Sequence, residues 1–86
     1  MKVYVVTTAK HDGDMFDGLV TFDKDAAIKS ARNELERMSE YDRKRTDVYV
    51  SVYECLDAAD RTANKIYQQA LDDAEAVLES TIDIFK

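Results

Sequence analysis

The sequence predicts an α+β fold: one small antiparallel or mixed β-sheet in the order β-β-α-β-α, closed by a last strand, with two helices packed on one face. Val48–Leu56 (VYVSVYECL) alternates strictly, with Val48, Val50 and Val52 on one side and Tyr49, Ser51, Tyr53 and Cys55 on the other, the period of a pleated strand. Lys24 to about Tyr41 carries Ile28, Ala31, Leu35 and Met38 at spacings of three, four and three, the stripe of an amphipathic helix. The chain of 86 residues has no Pro and only two Gly. It therefore reads as a single domain of regular structure, spanning residues 1–86.

Lys2–Ala9 (KVYVVTTA) opens the chain with β-branched and aromatic residues almost throughout, a strand with both faces at least partly covered. Lys10–Gly18 (KHDGDMFDG) holds both glycines and three aspartates and reads as a long hairpin tip. Leu19–Phe22 is a short return strand. Asp23 fits the N-cap of the first helix, its carboxylate placed to accept from unpaired backbone N–H groups. Asp42–Asp47 (DRKRTD) is a polar connection.

After the strand Val48–Leu56, Asp57 and Asp60 resemble a capping arrangement for a second helix over Ala58–Ser80. Its stripe is Ala59, Ala63, Ile66, Ala70, Ala74 and Val77, widened by Tyr67, Leu71 and Leu78. Such a helix would be roughly 35 Å long at about 1.5 Å per residue, long beside the strands, so an overhanging end is expected. Thr81–Lys86 (TIDIFK) alternates as the closing strand.

Charge is unevenly placed. The formal net charge is −6, and the first 46 residues hold nine acids and nine bases. The whole excess therefore falls from Asp47 onward, where nine acids face only Arg61, Lys65 and Lys86. Asp72, Asp73, Glu75 and Glu79 fall in the last turns of the predicted second helix. Helix C-termini carry partial negative charge, so acids there cost roughly a few tenths of a kcal/mol each. Asp72, Glu75 and Glu79 at i, i+3 and i+7 share one helical face, with Asp73 beside them and Asp83 able to extend the row. Carboxylates at these intervals resemble the phosphate spacing of a nucleic-acid strand, and a solvated acidic face is the plain alternative.

This balance argues against direct nucleic-acid binding, which needs a basic footprint, and suits docking on a basic partner. Arg43, Lys44 and Arg45 form the only basic run, framed by Asp42 and Asp47. The single Cys55 allows no internal disulfide and fits a reducing compartment. The opening MKVYVVTTAKHDG has too short an apolar run for a signal peptide, and no stretch approaches 18 apolar residues. A cytoplasmic protein without membrane insertion is expected.

Catalytic patterns do not emerge. The hairpin tip offers His11, Asp12, Asp14 and Asp17, yet counting from Asp12 puts Phe16 and Asp17 where an EF-hand needs a ligand and a glycine. Without a second His, a Cys pair or an H-E-x-x-H pattern, no metal or other cofactor is expected. The tip reads instead as a turn with local hydrogen bonds, or as a contact loop whose Met15 and Phe16 are apolar anchors beside Asp12, Asp14 and Asp17. Cys55 and His11 have no spacing that pairs them, and both glycine-rich phosphate motifs are absent. Tyr49 and Tyr53, with Tyr4 opposite, offer a binding face or a covered sheet face.

Met1–Val6, a polar loop, Leu19–Asp23 and an Ala-rich helix together resemble the β-β-α-β opening of small phage and bacterial-host proteins. In size, acidity and lack of catalytic residues the chain also resembles anti-CRISPR proteins. The resemblance implies a small protein that occupies a site on a larger machine, and with the acidic balance the expectation is a non-enzymatic inhibitor that binds a basic surface of a host nucleic-acid-handling complex. It would block nucleic-acid entry or a conformational step through Asp72, Asp73, Glu75 and Glu79, with Asp12, Asp14 and Asp17 as a second contact. The alternative is a homodimeric assembly module, joined by an edge strand or the long helix without nucleic-acid mimicry.

Overall fold

In a computed structural model that describes residues 2–54, 63–72 and 77–84, four strands form one antiparallel sheet in the order β2-β1-β3-β4. The strands are β1 (Lys2–Lys10), β2 (Met15–Thr21), β3 (Thr46–Glu54) and β4 (Val77–Asp83), and the helices are α1 (Lys24–Arg37), α2 (Glu40–Lys44) and α3 (Ala63–Asp72). The α+β class is as the sequence predicts; of the antiparallel and mixed sheets it allows, the antiparallel one forms, and one short helix is added.

The central pair β1–β3 runs in unbroken register from Lys2↔Glu54 to Lys10↔Thr46. The β1–β2 hairpin is longer and its tip tighter than expected. Met15, Phe16 and Asp17 pair with Ala9, Thr8 and Thr7 instead of belonging to a loop. The turn closes because Lys10 N–H donates to Asp14 O at 2.7 Å and Gly13 N–H donates to Lys10 O at 3.0 Å. Gly13 takes φ 109°, a conformation a side chain would strain.

Asp23 caps α1 as expected, its Oδ1 accepting from Asp25 N at 3.0 Å and Ala26 N at 3.3 Å. The helix stops at Arg37 and does not reach Tyr41. Ser39 stands between, and its Oγ accepts from Asp42 N at 3.2 Å to start α2. A serine bonding the backbone ahead of it favours a cap over a helix interior.

Successive residues of a strand face opposite sides, and each side of this sheet has its own helix. Val6, Val48 and Val50 pack with Ala27, Ala31 and Leu35 of α1 and with Ile84. Val3 and Val5 pack with Ala63, Ile66 and Tyr67 of α3. The two helices therefore do not share a face. A strand with apolar residues at both odd and even positions, as in β1, needs cover on both sides, and Val3, Val5 and Val6 are at most 2% exposed. Each such side chain contributes about 1.5–3 kcal/mol on burial.

The second helix is also shorter than its apolar stripe predicts. Val77–Ser80 lie in β4, where Leu78 pairs with Tyr53 and Val77 with Glu54. Beside the open edge of β3 this segment gains ladder hydrogen bonds, and Val77, Thr81 and Ile82 of β4 are β-branched residues that suit a strand. The predicted turns over residues 58–62 and 73–76 lie outside the described residues, as do Cys55 and Leu56. The expected closing strand is present but starts at Val77 instead of Thr81.

Candidate functional site

The sheet face under α3 is only partly covered. Cross-strand partners share a face, so the register sets Asp17, Thr7, Tyr49 and Asp83 side by side, one from each strand in the order β2-β1-β3-β4. The next row toward α3 contains Ser51 and Thr81, and the one after it Tyr53 and Leu78. With Met15 and Tyr67 these residues line a trough of about 460 Å³. Among the described residues, its lining includes three tyrosines and two aspartates and no Lys, Arg or His.

The floor is polar and buried. Thr7 and Ser51 are 3% and 4% exposed, and their hydroxyl oxygens lie 3.2 Å apart in a hydrogen bond. The Thr7 hydroxyl also lies 3.5 Å from Asp17 Oδ1, and the Tyr67 hydroxyl donates to Asp17 Oδ2 at 3.4 Å. Asp17 is thus held on both carboxylate oxygens at an exposed rim. The Tyr53 and Tyr67 rings stand 5.0 Å apart at 53°, a tilted arrangement that aromatic pairs favour.

Burial raises the Tyr67 hydroxyl well above its ordinary pKa, and Tyr53 and the Asp17 charge add to the rise. Tyr49 is also raised, first by burial, then by Tyr53, Asp17 and Asp47. Tyr49 and Tyr67 are thus held as neutral hydroxyls, the reverse of what a nucleophile or general base requires. The trough is suited to presenting aromatic faces and carboxylates to a cation.

The sequence-predicted site residues are divided by this geometry. Asp17 belongs to the trough. Asp12 and Asp14 lie in the hairpin turn, where Asp12 Oδ1 accepts from Asp14 N at 3.2 Å, and Asp12 lines a separate concavity with Lys10, His11, Tyr41 and Arg45. Asp17 therefore lies on the trough face while Asp12 and Asp14 stay in the turn. Glu79 is on β4, not on a helix, as the extra residue between the pairs Val52↔Ser80 and Tyr53↔Leu78. Its carboxylate meets Lys2 Nζ at 3.5 Å. Glu79 therefore does not continue a helical row from Asp72 and Glu75, because the chain is already extended at Val77. Asp72 closes α3 as described, and Asp73 and Glu75 lie outside the described residues.

Tyr4 faces the α1 side with its partner Val52, so it is not part of the tyrosine face. The basic run serves local structure: Arg43 Nη2 donates to Met38 O at 3.0 Å, and the Arg45 guanidinium lies 3.7 Å from the Tyr41 ring centre. His11 Nε2 lies 3.3 Å from Asp47 Oδ2. Among the described residues, no group of three His, Cys, Asp or Glu is gathered to hold a metal ion, and no helix is long and apolar enough to cross a membrane.

Sequence reasoning missed Thr7, Ser51, Tyr67 and Thr81 as parts of one site. Its usable signal was Ser51, a polar residue inside an otherwise aromatic face of β3. No family model, curated protein or solved structure matches this chain.

Proposed function

We propose that this is a small, acidic, non-enzymatic binding protein that docks on a basic surface of a host nucleic-acid-handling complex, with the trough under α3 as its contact. The most concrete version is an anti-CRISPR inhibitor, encoded by a phage or another mobile element, that blocks nucleic-acid entry or a conformational step. The observation that carries the reading is the trough's lining, where, among the described residues, Tyr49, Tyr53 and Tyr67 stand with Asp17 and Asp83 and without a basic side chain. A formal net charge of −6 adds long-range attraction to a basic surface. The contact thereby moves from the expected helical row to the sheet face.

The test is binding to guide-loaded effector nuclease complexes by surface interferometry at low and high salt, with nucleic-acid cleavage measured in parallel. Binding that weakens as salt rises, and falls again in Asp17→Lys with an intact circular dichroism spectrum, supports the reading. Salt-independent binding, or full inhibition by Asp17→Lys, counts against it.

The alternative homodimeric module draws on the exposed β2 side chains Met15 and Phe16. Against edge-to-edge pairing, both outer strands carry register shifts, at Val5/Thr7 beside β2 and at Val52/Tyr53 beside β4. Bulges of this kind blunt an edge as a template for another strand. Sedimentation that stays monomeric as concentration rises removes the dimer.

A further inference from the structure

Resting on the reading of the trough as a contact for a basic partner, we infer that its occupant is an extended segment of that partner carrying two arginines four residues apart, laid across the strands from Asp17 to Asp83. Asp17 on β2 and Asp83 on β4 lie at the two ends of one cross-strand row, with Thr7 and Tyr49 between them. Three interstrand steps of about 4.8 Å separate their backbones by roughly 14 Å. One cation cannot reach both carboxylates, so the row calls for two. In an extended chain, residues i and i+4 point to the same side and lie about 13 Å apart. A helix spans only about 6 Å over the same interval, which fits the row poorly.

Arginine suits the Asp17 end better than lysine. The Asp17 carboxylate is already oriented by the Tyr67 hydroxyl and by Thr7, and a fixed carboxylate favours the planar two-pronged guanidinium. Thr7 and Tyr49 flank the middle of the row, where the residue between the two arginines on the same side would fall. A small residue there lets the segment lie close to the sheet, with Tyr67 as a side wall.

The experiment is calorimetric titration of the whole protein with three short capped peptides of equal length. One has arginines four residues apart, one has them two apart, and one has serine in place of both. The expected result is binding on the order of tenfold tighter for the four-apart peptide than for the two-apart peptide, a difference set by one added charge pair. Asp83→Asn, checked for an unchanged circular dichroism spectrum, should reduce the four-apart peptide to the level of the other. Equal affinity of the two arginine peptides, or an unaltered preference in Asp83→Asn, overturns the extended two-arginine occupant and leaves the basic-partner reading standing. Failure of both arginine peptides to bind better than the serine peptide overturns both.

Discussion

The Tyr67 hydroxyl of α3 donates to Asp17 Oδ2 of β2 at 3.4 Å, across a separation of 50 residues. The bond ties the helix on one sheet face to an outer strand, and the same Asp17 meets Thr7 of the central strand. It also orients a carboxylate at the mouth of the trough, so one contact serves both packing and the proposed recognition.

Tyr67→Phe removes that hydrogen bond and keeps the ring against Tyr53. It should cost about 0.5–1.5 kcal/mol. For a domain of this size about 1 kcal/mol lowers Tm by roughly 4–8 °C. Thermal unfolding followed by circular dichroism gives the answer, and an unchanged Tm would mean the bond contributes nothing net.

Thr7→Val leaves Ser51 Oγ buried without the Thr7 hydroxyl, its hydrogen-bond partner. The expected loss is about 1–3 kcal/mol, the cost of stranding a buried polar group. Adding Ser51→Ala should recover part of it, because an apolar pair has no unmet bond. Urea unfolding of the two single variants and the double variant measures this coupling, and strict additivity would deny it.

Alkaline stability follows from Tyr67 and Tyr49. Both are raised in the folded protein above the ordinary tyrosine value of 10.0, so above that pH the unfolded chain loses protons that the folded one keeps. Their contribution is fully present below pH 10.0 and is lost as pH rises through the folded values. Urea midpoints should fall at alkaline pH beyond any fall seen in Tyr67→Phe. Identical profiles for the two proteins would exclude Tyr67 as a source.

Two neighbouring substitutions test the placement of the helices. Val5→Asp buries a carboxylate under α3, and Val6→Asp buries one under α1. Each should abolish or severely weaken cooperative unfolding, since an unpaired buried charge costs several kcal/mol. Tolerance of Val5→Asp alone would show that the α3 side is not sealed at Val5.

Much of the framework was legible locally. The alternation in β3 placed Val48, Val50 and Val52 opposite Tyr49, Ser51 and Tyr53, and the register agrees. Asp23 marked the start of α1 because an N-cap depends only on the next few residues. The hairpin tip is shorter than its turn-forming residues predict, because Met15–Asp17 become strand only through pairing with β1.

By itself, then, the sequence determined the α+β class, the central strands, the capped first helix and the acidic balance, all of which follow from side-chain period and local hydrogen bonding. Only the tertiary structure decided that Val77–Ser80 join a strand, that α1 and α3 take opposite faces, and that Asp17, Thr7, Tyr49 and Asp83 form one row. The reason is that strand register joins residues far apart along the chain, and no local pattern encodes which of them will meet.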